Sequence, residues 1–146
     1  MSSGSICENV SIRKGVESDL SAIAEIQAES SEASHWLPSD YLQYEFLVAE
    51  ASNQIAGFLV WRNLAPDECE ILNLAVAPRL RRSGIARRLM FALMAGAYTE
   101  IYLEVRESNQ GARAFYQAIG FKDLNTRPGY YTSPDETAIV MKFHSC

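Results

Sequence analysis

The spacing of hydrophobic positions along the chain predicts alternating strands and helices. The leucine-rich and β-branched run at 71–76 is typical of a strand that is buried on both faces, and Pro78 ends it. Apolar residues then recur every three or four positions, which predicts a helix that begins near Ser83 or Gly84 and runs to about Tyr98. This strand, turn and helix form the centre of the predicted fold.

The rest of the chain shows the same two periodicities. Predicted strands cover 10–13, 46–51, 55–62, 101–106, 121–126 and 137–143; one helix follows an N-cap at Ser18 or Asp19, a second runs from Ser39 or Asp40 to Phe46, and a third covers 109–119 behind a cap at Ser108. Turns are predicted at 52–54 and 63–68, and a loop at 127–131. The order β-α-α-β-β-β-α-β-α-β-β predicts a single mixed α/β domain over residues 10–146, after a flexible N-terminus at 1–9.

Composition is that of one ordinary globular domain. The chain has 146 residues, of which 48% are hydrophobic and 21% are charged. No apolar run reaches the roughly 18 residues of a membrane span, and the first ten residues lack the basic and apolar regions of a signal peptide, so we expect a cytoplasmic protein that does not engage membranes. Cys7, Cys69 and Cys146 are far apart and have no clustered histidines beside them, which predicts neither disulfides nor a metal site.

A dense basic cluster follows the central strand. The net charge of the chain is −5, yet five of its thirteen basic residues lie within ten positions: Arg79, Arg81, Arg82, Arg87 and Arg88. Because the first turn of a helix presents unpaired N–H groups, this junction is suited to bind an anion, and Gly84 leaves room for a phosphate. The alternative is an ordinary exposed, arginine-rich helix start. The acidic net charge disfavours nucleic acid as the ligand, and neither nucleotide glycine motif is present.

Glu104 lies in the middle of the predicted strand 101–106. A buried carboxylate is costly, so Glu104 either pairs with Arg106 or another arginine on a half-solvated face, or lies in a cleft with a raised pKa and acts as a base. Both readings remain open from the residues alone. On the following helix, spacing places Tyr116 on the apolar face.

Residues 81–86, RRSGIA, resemble the Q/R-x-x-G-x-G/A motif of the GNAT superfamily of acyl-CoA-dependent N-acyltransferases. The segments LEVRESNQGARAFYQAIGF, RPGYY and ETAIVMKF are similar in order and content to those of the RimI-type N-terminal acetyltransferases. The resemblance covers nearly the whole chain and is strongest from Ile71 onward. It implies a mostly antiparallel central sheet flanked by helices.

The resemblance also implies functional residues. It identifies Glu104 as the general base and Tyr116 as the acid that protonates the departing thiolate, with acetyl-CoA as co-substrate. The implied coenzyme-binding positions are Leu74, Ala75, Val76, Arg82, Ser83, Gly84, Ile85, Ala86, Arg87 and Asn109. The implied borders of the peptide groove are Trp36, Tyr130 and Tyr131, although a tryptophan can equally anchor a loop to the core.

The predicted activity is acetyl transfer to the N-terminal α-amine of a protein, with a ribosomal protein as the expected partner, by direct attack in a ternary complex. Glu70 is a rival base, since some GNAT relatives use a carboxylate at that strand position. Two alternatives remain: a GNAT enzyme that acts on a small amine or on lysine, and a coenzyme-A-binding module without catalysis. Gly129 and the region around Ser34 and Trp36 depart from the pattern of some relatives, which affects substrate choice; the acceptor residue and the oligomeric state stay open.

Overall fold

The computed structural model describes residues 9–30, 37–132 and 135–145, without the side chains of Thr132 and Asp135. The described residues contain seven strands in one sheet, in the order β1-β2-β3-β4-β5-β7-β6. Their bounds are β1 Val10–Lys14, β2 Glu45–Ala51, β3 Gln54–Ala65, β4 Glu68–Val76, β5 Glu100–Arg106, β6 Lys122–Thr132 and β7 Asp135–His144. Three α-helices accompany them: α1 Leu20–Ala28, α2 Ile85–Met94 and α3 Gln110–Ala118. The mostly antiparallel sheet is confirmed, and so is the predicted order of elements, except that the second predicted helix is a 3-10 turn.

The chain forms two compact units. The first comprises Met1–Arg62 and Leu72–Gly96. In it β1 pairs with β2 and β2 with β3, both antiparallel, and the β2–β3 turn consists of Ser52 and Asn53, which both have positive φ. The core of this unit is a cluster of buried side chains from α1, the 3-10 turn Pro38–Gln43 and the strands: Ile23, Ile26, Tyr41, Phe46, Val48, Phe58, Val60, Ala75 and Ala77.

The second unit comprises Asn63–Ile71 and Ala97–Cys146. Here β4 pairs in parallel with β5 over Glu68–Glu70, and β5 and β6 both pair antiparallel with β7. The burial of β5 alternates, so that one face carries polar residues and the other packs apolar residues. The buried side chains of this unit include Ile101, Leu103, Val105, Tyr116, Ile119, Phe121, Ile139 and Met141.

Several predicted boundaries are wrong, each for a local reason. Helix α2 ends at Met94 rather than near Tyr98. The helical hydrogen-bond pattern stops there, because the N–H of Gly96 bonds to the carbonyl of Leu93, three residues back. The predicted helix that ran to Phe46 is the short 3-10 turn Pro38–Gln43, because β2 already begins at Glu45.

The predicted extents of a turn and of a loop are also wrong. The predicted turn at 63–68 is shorter, since β3 continues to Ala65 and β4 begins at Glu68. The predicted loop at 127–131 belongs to β6, which is the edge strand of the sheet and is bulged between Arg127 and Tyr131.

Of the predicted helix caps, the position of the first is confirmed and that of the third helix is wrong. Asp19 is the N-cap of α1, but its carboxylate accepts the N–H of Val16 at 2.8 Å and pairs with Arg13 at 2.9 Å instead of capping the helix. The N-cap of α3 is Asn109, not Ser108. Among the helices of the described residues, none is both long and apolar enough to cross a membrane.

Candidate active site

Two carboxylates lie side by side on the polar face of the second unit's sheet. Glu70 of β4 is in register with Tyr102 of β5, and Glu104 is two residues further along β5, so pleating directs all three side chains to the same face. Glu104 is largely buried, with a side chain 13% exposed. Burial raises the pKa of its carboxyl; Arg127 opposes this rise, and the charge of Glu70 and a hydrogen bond to it add to it.

The guanidinium of Arg127 covers Glu104. Its Nη1 donates to both Oε1 and Oε2 of Glu104 at 3.0 Å. Glu104 is thus paired with an arginine, although not Arg106, and the pKa of its carboxyl is nevertheless raised; its role as a base stays a prediction. Arg127 was not among the predicted site residues, and since it lies 23 residues further along the chain, only strand pairing brings it here.

Tyr130 and Tyr131 are adjacent on β6 and border the same carboxylate. Their rings pack edge to face with centroids 5.1 Å apart. Burial and the charge of Glu104 raise the pKa of both phenols, that of Tyr131 to about 12. The guanidinium of Arg106 lies 4.2 Å from the centre of the Tyr131 ring, and the same arginine pairs with Glu136 at 3.4 Å. Arg106 thereby contacts Tyr131 from one side, a contact that no pattern in the sequence predicts.

Tyr116 is buried on α3. Its ring packs edge to face against Phe115 and Phe121, with centroids 5.2 and 5.5 Å away. Burial first, and the neighbouring Tyr131 second, raise the pKa of its phenol, so the hydroxyl keeps its proton throughout the physiological range. The spacing-based prediction of a core residue and the resemblance-based prediction of a proton donor are compatible with this placement.

Asn109 has a structural role that its predicted coenzyme contact did not anticipate. Its Oδ1 accepts the N–H of Ala112 at 3.1 Å and caps α3. An asparagine side chain also carries an amide donor, which the cap does not use.

The predicted anion-binding turn lies in the first unit. Arg82 and Gly84, on either side of Ser83, have left-handed backbones with φ of 67° and 84°. Such turns direct successive N–H groups into one concavity, which is the geometry of anion-binding nests. A Cβ built on Gly84 would meet no atom within 4 Å, so the space in front of this backbone is open. Ser83 donates its hydroxyl to the carbonyl of Leu80 and closes the turn.

Several arginines near this turn use their guanidinium groups for contacts within the protein, which the charge pattern did not predict. Arg81 turns away from the turn: its Nη2 donates to Ser30 Oγ at 2.8 Å and its Nε to the carbonyl of Val76 at 3.3 Å. Arg79 donates to Gln54 at 2.8 Å, and the guanidinium of Arg87 lies 5.0 Å from the centre of its helix neighbour's ring, Phe91. Arg87 is a predicted coenzyme ligand whose charge stays exposed at the surface of α2.

The predicted acetyl-arm strand, Leu74 to Val76, ends β4 in the same unit. Leu74 is half-buried, and Ala75 and Val76 are buried. Gly57 of β3 approaches this strand so closely that a Cβ there would lie 2.9 Å from the Ala75 carbonyl oxygen. Ile85 is buried and Ala86 half-buried at the start of α2. Trp36, the remaining predicted site residue, falls outside the described residues, as do His35 and nearly all of the predicted flexible stretch at 1–9.

Comparison with known proteins decides the family. The model of the acetyltransferase (GNAT) family matches residues 17–121, which include the turn at Arg82 to Gly84, Glu104 and Tyr116. This chain is a GNAT acetyltransferase.

Relatives of this GNAT acetyltransferase include enzymes named as alanine N-acetyltransferases of a ribosomal protein. The ribosomal protein bS18-alanine N-acetyltransferase of Haemophilus ducreyi is 32% identical over 144 residues, which cover 88% of this chain and 96% of that protein. The crystal structure of the ribosomal-protein-S18-alanine N-acetyltransferase of Escherichia coli superposes with a TM-score of 0.79 at 28% identity, covering 92% of this chain and 93% of that one. Ard1 of Thermoplasma volcanium gives a TM-score of 0.85 at 27% identity, with coverage of 94% and 99%.

Proposed function

We propose that this chain is a cytoplasmic enzyme that transfers the acetyl group of acetyl-CoA to the N-terminal α-amine of a protein, and that its acceptor is a ribosomal protein with an N-terminal alanine. The observation that carries the proposal is the alignment along 96% of a protein named for bS18-alanine acetylation. The carboxylates on the polar face of β4 and β5 supply a base suited to an amine acceptor.

The turn at Arg82 to Gly84 and the first turn of α2 are suited to the pyrophosphate of acetyl-CoA. The left-handed turn and the first-turn N–H groups of Ile85, Ala86 and Arg87 offer backbone donors, which need no side-chain charge. The open space in front of Gly84 would admit a phosphate against the backbone. The backbone of Leu74 to Val76 would hold the acetyl-pantetheine arm, and the amide of Asn109 would add a contact.

Glu104 would accept the proton that the α-ammonium must lose before it attacks the thioester. An α-amine has a pKa of about 7.7 to 8.0, so roughly one molecule in ten is already neutral at pH 7, whereas a lysine with a pKa of about 10.4 is neutral in only about four molecules in ten thousand. A carboxylate with a raised pKa is therefore a sufficient base for an α-amine acceptor and a poor base for a lysine acceptor. Tyr130 and Tyr131 would border the bound peptide beside it.

Tyr116 would act on the departing thiolate. An ordinary thiol has a pKa of about 8.5, and burial places the phenol of Tyr116 well above its usual 10, so complete proton transfer from the phenol to the thiolate is uphill. A hydrogen bond from the neutral phenol to the developing thiolate avoids that cost and still stabilises the charge. Tyr116 would thus donate a hydrogen bond during bond cleavage and keep its own proton, and the thiolate would take up a proton from solvent on release.

The proposal is tested by thiol release from acetyl-CoA in the presence of short peptides. One set begins with a free alanine, serine or methionine; the other carries the same sequences with a blocked N-terminus and one internal lysine. We expect turnover with the free N-termini only, and most with alanine. Turnover with lysine peptides or with small amines alone, or acetyl-CoA binding without any turnover, would contradict the proposal in favour of its alternatives.

Three glutamate variants assign the base. Glu104→Gln should lower kcat by about 10²-fold or more, as loss of general base catalysis does. Glu100→Gln is a matched control on the same strand and face, where the carboxylate pairs with Lys142 and His144 instead. If Glu70→Gln abolished turnover and Glu104→Gln spared it, the base would be Glu70.

A further inference from the structure

The two side chains of the ion pair between Arg127 and Glu104 differ in their exposure to solvent. Nη1 of Arg127 lies 3.0 Å from both carboxylate oxygens, so one cation contacts both of them. The Arg127 side chain is 53% exposed, while that of Glu104 is 13% exposed. The arginine therefore covers the solvent side of the carboxylate, the side from which an amine in solution would approach.

The bulge in β6 places Arg127 over Glu104. Arg127 pairs with Ala138 and Tyr131 with Glu136, so three residues of β6 oppose one residue of β7. Within the bulge Pro128 has no N–H to pair, and Gly129 has a left-handed backbone with φ of 67°. The guanidinium also lies 4.5 Å from the centre of the Tyr130 ring. An edge-strand bulge and an exposed ring hold the arginine, and neither is part of a packed core.

The charged and phenolic groups around Glu104 come from β4, which is adjacent to β5, and from β6, which lies beyond β7. Glu70 faces it from β4; Arg127, Tyr130 and Tyr131 face it from β6. The intervening strand β7 presents Val140 directly opposite Glu104 and contributes no charge there. Arg127 is the one cation within this set, and it opposes the rise in pKa that burial and Glu70 impose on Glu104.

We propose that Arg127 is a displaceable counterion of Glu104, which occupies both oxygens of the carboxylate in the free enzyme and is replaced on at least one of them by the ammonium group of the acceptor. The inference rests on the proposed function in one respect, the role of Glu104 as the base. The site exchanges one cation for another, so the carboxylate stays neutralised before and after the acceptor binds. An exposed pair of this kind is weak enough to be exchanged, since its strength corresponds to only about a 1.5- to 5-fold change in an equilibrium constant.

Displacement precedes the proton transfer. The bound ammonium then breaks one N–H bond and passes that proton to the freed oxygen of Glu104, leaving a neutral amine and a neutral carboxylic acid. The guanidinium stays protonated throughout, because it does not lose a proton in proteins. Arg127 is thus a positioning residue that regulates access to the base, and its charge favours the ionised form of the carboxylate.

Arg127→Gln tests the proposal through the acceptor KM and the pH profile. Without the competing cation, the KM for an alanine-initiated peptide should fall about 1.5- to 5-fold. The acid limb of kcat/KM should move to higher pH, because Glu104 loses the neighbour that lowers its pKa. Arg127→Lys, which retains the charge but not the planar geometry, should return the acid limb toward that of the wild type.

The matched control is Lys142→Gln, which removes a cation paired with Glu100 at 3.1 Å on the same sheet face. It should change neither the KM nor the acid limb. Calorimetric binding of the peptide in the Glu104→Gln background separates the counterion role from the contact with Tyr130: Arg127→Gln should have no further effect there. A KM that rises, an unmoved acid limb, or an Arg127 effect that persists without Glu104 would overturn the proposal.

Failure of the proposed function gives a different result. If no peptide is turned over but another amine is, the acceptor assignment fails and the same variants are compared with that amine. If the accepted amine shows no dependence on Arg127 in either KM or pH profile, the counterion proposal alone fails.

Discussion

Replacing Gly57 by alanine perturbs the strand that is proposed to bind the acetyl arm. A Cβ at this position would lie 2.9 Å from the Ala75 carbonyl oxygen and 3.3 Å from methyl carbons of Val76 and Ile85. The first contact is with backbone, so a rotamer change cannot relieve it, and β3 or β4 must shift. Ala75 and Val76 end β4, and Ile85 begins α2, so the shift reaches both proposed coenzyme-binding elements of the first unit.

The magnitude follows from two opposing effects. An added methyl group in a tightly packed region lowers the free energy of unfolding by about 1–3 kcal/mol. Alanine also restricts the unfolded chain more than glycine does, which raises the free energy of unfolding by about 0.4–1 kcal/mol. We therefore expect Gly57→Ala to lower the free energy of unfolding by about 0–2.6 kcal/mol, with a central value of about 1.3 kcal/mol. For a chain of this size each kcal/mol corresponds to about 2–4 °C in Tm.

Gly111→Ala is the matched control, since it is the same chemical change in the first turn of α3. A Cβ there would meet no atom within 4 Å, and the change should stabilise the protein by up to about 1 kcal/mol. Urea unfolding gives both free energies, and calorimetry gives the affinity for acetyl-CoA. We expect opposite signs in stability and weaker acetyl-CoA binding for Gly57→Ala only. Equal stabilisation by the two variants would refute the close approach of β3 to β4.

Four further outcomes are expected. Gly84→Ala should weaken acetyl-CoA binding while turnover with acetyl-pantetheine, which lacks the pyrophosphate, is unchanged; loss with both substrates would contradict the anion site. Tyr116→Phe should lower kcat far more than it weakens coenzyme binding in titrations, and the reverse would exclude the donor role. Tyr41→Phe should cost about 1–3 kcal/mol in urea unfolding, because the buried hydroxyl accepts from Asn73 at 3.0 Å; an unchanged midpoint would contradict this. Glu104→Gln should be more stable than the wild type at pH 7 and equal to it below about pH 4. The pKa of Glu104 is raised in the folded state, so the wild type loses stability as the pH rises from the unfolded-state pKa through the folded-state pKa, whereas glutamine does not titrate. Lower stability of the variant than of the wild type at pH 7 in thermal melts would refute the raised pKa.

The order of strands and helices could be predicted because each element has its own period. The alternation in β5 and the helical spacing in α2 depend only on near neighbours in the sequence, so both elements were found. The residues at 127–131 were predicted to be a loop because a bulge interrupts the alternation, and Pro128 and Gly129 are typical of turns. Strand pairing with β7 overrides that local signal.

The sequence predicts those residues of the candidate site that belong to a local motif or strand pattern. It does not predict contacts between residues that are far apart in the chain. Gly84 and Glu104 were found from a local motif and a strand pattern. The partners of Glu104 were not, because Glu70 and Arg127 lie on other strands and only the register of the sheet makes them neighbours. Arg106 was the expected partner by proximity in sequence, but it stacks on Tyr131 and pairs with Glu136.

The basic cluster shows why charge alone is a poor guide to how an anion is bound. The sequence suggested that the arginines after β4 surround the ligand, but Arg81 holds Ser30 and the carbonyl of Val76, and Arg79 holds Gln54. Their side chains fix the path of the chain into the turn, where Gly84 has a left-handed backbone. Backbone N–H groups supply directed hydrogen bonds that salt screens less than it screens exposed charges. It follows that the structural arginines and the glycine differ in their main effect. Loss of Arg81 should destabilise the turn, whereas a side chain at position 84 should chiefly block the phosphate, at a cost of about 1–2 kcal/mol for its left-handed backbone.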